Sequence, residues 1–113
     1  VYPYIFLKRE YYEDLASNNP KPKTIAVLTH EQTHIKRAKE KGALRWMLLY
    51  ALAPSFRVDE ELAADREAMK YWKSRKLEYD FDRRARFLSG PIYLWPISYE
   101  EAKKRLGKMW GEI

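Results

Sequence analysis

The nine residues from 29 to 37 contain the pattern that most restricts how this chain can fold. His30, Glu31 and His34 form the motif H-E-x-x-H. Residues four apart on an α-helix lie on one face, one turn from each other, so a helix in this stretch directs both imidazoles towards one metal ion. The chain has only these two histidines, and both lie in the motif. We therefore predict a helix with two metal ligands, with Glu31 beside them as a general base for a metal-bound water.

A catalytic metal site of this kind needs a third protein ligand, because zinc in such sites binds three protein groups and keeps a fourth position for water. The chain has no cysteine and no further histidine, so the third ligand has to be a carboxylate. A later predicted helix offers Asp59, Glu60, Glu61 and Asp65. Glu61 and Asp65 lie on one face, so Glu61 can ligate the metal while Asp65 accepts a hydrogen bond from the distal nitrogen of a bound histidine. Periodicity alone does not choose Glu61 over Glu60.

Length and composition limit the architecture and the compartment. A chain of 113 residues suffices for one domain with one core. The absence of cysteine excludes disulfides and favours a reducing compartment, so we expect a cytoplasmic protein. The longest apolar run, residues 43–54, contains Arg45 and is far shorter than the roughly 20 residues that cross a bilayer, so no membrane span is expected. The high charged fraction, 34%, and the few amides are typical of thermophilic proteins.

The net charge of +6 raises the question of a nucleic-acid partner. Basic residues cluster at 83–86 and 103–105, but the others are spread along the chain and match no nucleic-acid-binding module. We interpret these clusters as solvated surface and expect no nucleic-acid partner.

Helical periodicity accounts for most of the chain. The motif helix is expected to begin near Pro22 and to stop at Gly42. Residues 43–53 are apolar nearly all round, which predicts a buried core helix, with a strand through residues 46–49 as the alternative. Three further helices are expected, each with a polar capping residue: one from Ser55 or Asp59 to about Lys76, one from Asp80 to Ser89, and one from Ser98.

Two segments have the composition of extended chain. Residues 2–7, Y-P-Y-I-F-L, are aromatic and branched, and residues 92–96, I-Y-L-W-P, are apolar and bounded by prolines. Residues 8–21 between the first segment and the motif helix show no clear periodicity and end in a loop. A helix-dominated chain with a small β-sheet belongs to the α+β class, and this is the fold that we predict.

The two carboxylate-bearing motifs together resemble those of a known family. H-E-x-x-H followed by E-L-A-A-D at residues 61–65 is similar to the H-E-x-x-H and E-x-x-A-D pair of gluzincin zinc metallopeptidases. The run T-H-I-K-R at residues 33–37 looks like that of membrane-embedded members. Since no transmembrane helix is visible, the chain most closely resembles the soluble minigluzincins, the abylysin and jannalysin type. The resemblance covers about residues 2–72.

This resemblance implies roles for individual residues. His30, His34 and Glu61 become the zinc ligands, Glu31 the general base and acid, and Asp65 the partner of a ligating histidine, His30. The implied reaction is hydrolysis of peptide bonds by a zinc-bound water that Glu31 activates.

The resemblance also implies how a substrate is held. Gluzincins have a small sheet whose edge strand pairs with an extended peptide, and residues 4–8 are our candidate for that edge. They also have a downstream residue that stabilises the oxyanion. Tyr71, Tyr79 or an arginine are the candidates here, because no further histidine is present.

Finally, the resemblance implies a zymogen-like, latent protein. Residues 1–90 then form the catalytic core, and residues 91–113 form an inhibitory segment in or over the cleft. The alternative is that residues 92–95 simply pack against the core.

Two rival functions follow from the same residues. One is a non-catalytic binding or structural protein that keeps zinc for stability. Glu31 favours catalysis, because a structural site has no use for a base beside an open position. The other is a metzincin or SprT-like protease, which needs a further histidine that the sequence lacks.

Overall fold

All the regular structure in the described residues is helical. The computed structural model describes residues 8–94 and 96–113. In chain order the helices are α1 (Arg9–Leu15), α2 (Pro22–Lys41), α3 (Ala43–Leu52), α4 (Pro54–Ser74), α5 (Phe81–Leu88) and α6 (Tyr99–Glu112), with a 3-10 turn at Pro91–Tyr93 between the last two.

The predicted α+β class with a small sheet is wrong, since the described residues form six helices and no strand. Residues 2–7, including most of the candidate edge strand, lie outside the described part of the chain. The segment from 92 to 96 is not extended as predicted: Pro91–Tyr93 make a 3-10 turn and Leu94 has a φ of 62°, while Trp95 lies outside the description. The fixed φ of proline suits the first turn of a helix as well as a strand, so composition alone did not separate the two.

The predicted ends of α2 are confirmed. Pro22 lies in its first turn, and the helix ends before Gly42, whose φ of 90° is strained for any residue with a side chain. The predicted caps of two later helices are also present. The Asp80 side chain accepts a hydrogen bond from the Arg83 backbone N–H at 3.0 Å, and Ser98 Oγ accepts one from the Glu101 backbone N–H at 3.2 Å.

Both ends of α4 differ from the prediction. α4 begins at Pro54 without a side-chain cap, so neither Ser55 nor Asp59 caps it, and it ends at Ser74.

The helix α1 was not expected, because its sequence R-E-Y-Y-E-D-L has no apolar stripe, and none of its residues is buried. Its end is joined to the start of α2 by a hydrogen bond from the Lys21 backbone N–H to the Asp14 carboxylate at 2.7 Å.

α3 is a helix, which excludes the alternative strand, but it is not the buried core element that we predicted. Only Trp46 is buried, while Leu44, Leu48 and Leu52 are 73%, 53% and 79% exposed. α3 packs against α2 and α4 through one face only. The apolar composition of α3 therefore does not mean that the helix is buried on all sides.

The main hydrophobic core lies among the last three helices. Met69 of α4, Ala85 and Leu88 of α5, and Ala102 and Leu106 of α6 are buried together. This core fixes α5 against α4 and makes α6 part of the folded domain. The predicted alternative, that residues 92–95 pack against the core, holds only for Tyr93 among those described, since Ile92 and Leu94 are 69% and 62% exposed.

α2 packs against α4 along much of its length. Both helices bury alanines on their inner faces, Ala26 and Ala38 on α2 and Ala64 and Ala68 on α4, and such small side chains let helix axes approach closely. Within the described residues no helix is both long and apolar enough to span a membrane.

Candidate metal centre

Three predicted ligands come together where α2 packs on α4. His30 and His34 lie one turn apart on α2, and Glu61 faces them from α4. His34 Nε2 is 2.7 Å from Glu61 Oε2, and His30 Nε2 is 3.6 Å from Glu61 Oε1. Each residue offers one ligand atom, and these atoms all lie within 4.8 Å of one another. The structure therefore brings together all three residues that the sequence nominated.

The structure also separates Glu61 from Glu60. The Glu60 side chain is fully buried and faces cations: it accepts hydrogen bonds from Arg37 Nε at 2.7 Å, Arg37 Nη2 at 3.1 Å and Lys41 Nζ at 2.6 Å. Glu61, one residue later, faces both histidines instead. Because consecutive helical residues point about 100° apart, only one of them can face the site.

Asp65 lies beside His30, as predicted, but through an unexpected atom. Asp65 Oδ1 is 3.1 Å from His30 Nε2, the same nitrogen that lies nearest to Glu61. If that nitrogen binds a metal, its contact with Asp65 has to break, and the opposite nitrogen, Nδ1, lies 3.4 Å from Glu31 Oε1 instead. The contact between the two residues is thus present, and the ring orientation that the resemblance implies is not.

Glu31 lies beside His30 at the edge of a cavity. Its Oε1 is 3.4 Å from His30 Nδ1, and its side chain is 37% exposed. It lines a cavity of about 280 Å³ together with His30 and Asp65. The hydrogen bond with His30 lowers the pKa of Glu31, which favours its ionised form.

Burial and charge act in opposite directions on the ligands. Burial raises the pKa of Glu61, but the hydrogen bond from His34 and the charges of His30 and Arg84 outweigh it and hold this pKa well below its usual value. Burial lowers the pKa of His30, but hydrogen bonds to Asp65 and Glu31 raise it to about 9. A metal that binds His30 at neutral pH therefore has to displace a proton.

Three further residues contact the site although no motif or spacing in the sequence assigned them to it individually. Arg84 of α5 donates from Nε to Asp65 Oδ2 at 2.8 Å and from Nη2 to Glu61 Oε1 at 3.1 Å. Tyr50 of α3 donates its hydroxyl to Glu61 Oε2 at 2.9 Å, and the Tyr93 hydroxyl lies 3.3 Å from Arg84 Nη1. All three come from other helices or turns, so spacing within one helix gives no indication of them.

The candidates for oxyanion stabilisation differ in their distance from the site, because they line different cavities. Tyr79 and Arg84 line the cavity beside His30 and Glu31. Tyr71 lines a different cavity, next to Pro22 at the start of α2. The role itself stays a prediction for Tyr79 and Arg84.

The donor set fits zinc in its chemistry and nearly in its spacing. Two imidazoles and one carboxylate are ligands that catalytic zinc sites use, and zinc lies about 2.0–2.2 Å from each, which places the ligand atoms roughly 3.4 Å apart. The most distant pair of donor atoms therefore has to approach by on the order of 1 Å. Among the described residues, His34 Nδ1 is buried without a hydrogen-bond partner.

Comparison of the chain with protein-family models, with curated proteins and with solved structures finds no match. The geometry of the site is therefore the basis for any statement about function.

Proposed function

We propose that this protein is a zinc-dependent peptidase of the gluzincin type. The observation that carries the proposal is the convergence of His30 and His34 with Glu61 from another helix, while Glu31 lies beside them and reaches the cavity. A site built only for stability has no need of an ionised carboxylate next to the ligands.

His30, His34 and Glu61 would hold the zinc, and Asp65 would restrain His30. When bound, zinc polarises the scissile carbonyl and makes water acidic enough to lose a proton near neutral pH. Glu31 accepts that proton and delivers it to the leaving amine. Its partly exposed carboxylate can do both, since it reaches the cavity without being one of the three grouped donors.

The space next to the site is suited to a peptide chain. The cavity of about 280 Å³ adjoins a second of about 520 Å³, and Trp72, Tyr79 and Tyr93 line both. Aromatic walls of this kind bind apolar side chains and leave backbone groups free to hydrogen-bond. We propose peptides or proteins as the substrate class.

The first test is Glu31→Gln. This change keeps the size of the side chain but removes the base, so the variant should retain one zinc per chain and its thermal stability, while peptide hydrolysis falls at least about 100-fold. Zinc is measured by metal analysis after dialysis, and hydrolysis with a mixed pool of fluorogenic peptides.

The matched control is Glu40→Gln, which removes a carboxylate from an exposed position on the same helix. It should leave both zinc content and hydrolysis unchanged. Equal hydrolysis in Glu31→Gln and the parent would reject the catalytic proposal and favour a protein that uses zinc for stability alone. A parent chain that retains no zinc would reject the metal site itself.

We also propose that latency through residues 91–113, if present, depends on the few residues of this segment that reach the site. Within this segment, Tyr93 reaches the site, whereas Ile92 and Leu94 are 69% and 62% exposed. Ala102 and Leu106 belong to the core. An inhibitory function would therefore belong to the turn around Tyr93, and removal of the whole segment would expose the core.

A further inference from the structure

The Arg84 side chain extends from α5 into the candidate metal centre. Its Nε donates to Asp65 Oδ2 at 2.8 Å, and its Nη2 donates to Glu61 Oε1 at 3.1 Å. The same Nη2 lies 3.2 Å from His30 Nε2. Only 19% of the side chain is exposed. One guanidinium thus joins two carboxylates of α4, Glu61 and Asp65, and touches a histidine of α2.

This arrangement solves an electrostatic problem within α4. Glu61 and Asp65 are both buried, and a buried carboxylate is costly unless a cation and hydrogen bonds compensate it. Burial alone would lower the pKa of Arg84, but the charge of Asp65 outweighs it and raises this pKa well above its usual value. A guanidinium is always charged and presents several N–H donors in a fixed plane, so it can serve two carboxylates at once.

The atoms that Arg84 contacts are also atoms that a metal needs. A metal held by His30, His34 and Glu61 needs a nitrogen of His30 and an oxygen of Glu61, and Arg84 Nη2 lies within hydrogen-bond distance of His30 Nε2 and Glu61 Oε1. The other Glu61 oxygen, Oε2, is already 2.7 Å from His34 and 2.9 Å from Tyr50. Arg84 and a metal would therefore compete for the Glu61 carboxylate and for His30 Nε2.

The hydrogen bond from Arg84 Nε to Asp65 would allow the guanidinium to leave Glu61 when a metal binds. Nε and Nη2 belong to the same group but contact different carboxylates. A rotation of the guanidinium about its Asp65 hydrogen bond moves Nη2 away from Glu61 and keeps one ion pair. The guanidinium carbon lies over the Tyr93 ring, 5.5 Å from its centroid, so this ring supports the group beside its Asp65 contact.

We infer that Arg84 and a divalent metal are rival cations at Glu61 and His30, and that Asp65 retains the guanidinium whichever of them is bound. The inference concerns the site of the proposed function and rests on it. Arg84 then acts as a positioning residue that keeps the two carboxylates paired and sets a threshold for metal binding.

The test is the zinc dissociation constant of Arg84→Met, measured by competition with a chromophoric chelator. Zinc should bind this variant roughly 10-fold more tightly than the parent, because it no longer displaces a charge-assisted hydrogen bond. After EDTA treatment the same variant should melt at least about 5 °C lower than the parent, because Glu61 and Asp65 have lost their cation. A role in stability alone would lower the melting temperature without strengthening zinc binding.

Two further variants complete the comparison. Arg86→Met removes the same charge from an exposed position of α5 and should bind zinc like the parent. Arg84→Lys keeps the charge but cannot span both carboxylates, so it should fold even if Arg84→Met does not, and should bind zinc more tightly than the parent by a smaller factor.

Equal or weaker zinc binding by both Arg84 variants overturns the inference, and the proposed function survives if the parent still binds zinc. If the parent binds no zinc but Arg84→Met does, the rivalry is supported and the parent is not a zinc peptidase under those conditions. If no variant binds zinc, both ideas are rejected.

Discussion

Two neighbouring glutamates on α4 have nearly opposite surroundings. Glu60 is completely buried and is held by Arg37 and Lys41, which are permanently charged near neutral pH. Glu61 is just as deeply buried but is surrounded by His30, His34, Tyr50 and Arg84. The two carboxylates therefore share a helix, a depth and a charge, and differ only in their partners.

The difference shows how neighbouring residues of one helix can have different roles, one in stabilising the fold and one in binding a metal. The partners of Glu60 cannot ligate a metal, because ammonium and guanidinium groups have no free lone pair. Those of Glu61 include two imidazoles, which can exchange a proton for a metal. We expect Glu60 to fix the structure and Glu61 to define the site.

The largest effect that we expect from this comparison is on zinc binding. Glu61→Gln should weaken zinc by more than about 100-fold, since loss of a ligand costs more than the roughly 10- to 100-fold typical of loss of a supporting contact. Glu60→Gln should leave the zinc dissociation constant within a factor of about three. Competition with a chelator measures both, and the reverse order would show that the roles of the two residues are exchanged.

The next effect is on stability. Glu60→Gln should lower the free energy of unfolding by on the order of 2 kcal/mol, less than the about 3–5 kcal/mol for breaking a fully buried pair, because Arg37 and Lys41 remain 32% and 41% exposed and can be hydrated. Urea unfolding in EDTA at neutral pH measures this. A change below about 0.5 kcal/mol would mean that the Glu60 contacts are not a structural anchor.

The smallest effect is the pH dependence of that loss. Burial raises the pKa of Glu60, but hydrogen bonds from Arg37 and Lys41 outweigh it and lower the pKa to about 2, from an ordinary value of 4.5. A lowered folded-state pKa contributes stability above the unfolded-state pKa, and this contribution is lost as pH falls through the folded-state pKa. The gap between the parent and Glu60→Gln should thus be constant above about pH 5 and shrink towards pH 2. A gap that is unchanged at pH 2.5 would contradict an ionised Glu60 as its source.

The sequence predicted the parts of the site that depend on spacing within a helix. His30 and His34 on α2 and Glu61 and Asp65 on α4 each lie four residues apart, so their shared faces follow from helical geometry alone. The choice between Glu60 and Glu61 depends on the rotation of α4 against α2, which is a tertiary property. Arg84 reaches the site only because Ala85 and Leu88 fix α5 on the core, and no local pattern reports that.

The errors in the fold prediction have a similar origin. Apolar composition predicts a buried α3 and an extended segment at residues 92–96. However, α3 exposes most of its leucines, and residues 91–93 form a helical turn. In a chain this small, surface is large relative to volume, so apolar composition is a weak indicator of burial.

The pairing of Glu60 with Arg37 and Lys41 also has a mechanical consequence. Helices that meet through alanines can slide or turn against each other with little change in buried area. A one-residue change in the register of α4 against α2 means an axial shift of about 1.5 Å with a rotation of about 100°. Arg37 and Lys41 pair with Glu60 from two successive turns of α2. Such a change of register would therefore break both ion pairs. The ion pairs of Glu60 therefore oppose a change of register between α2 and α4.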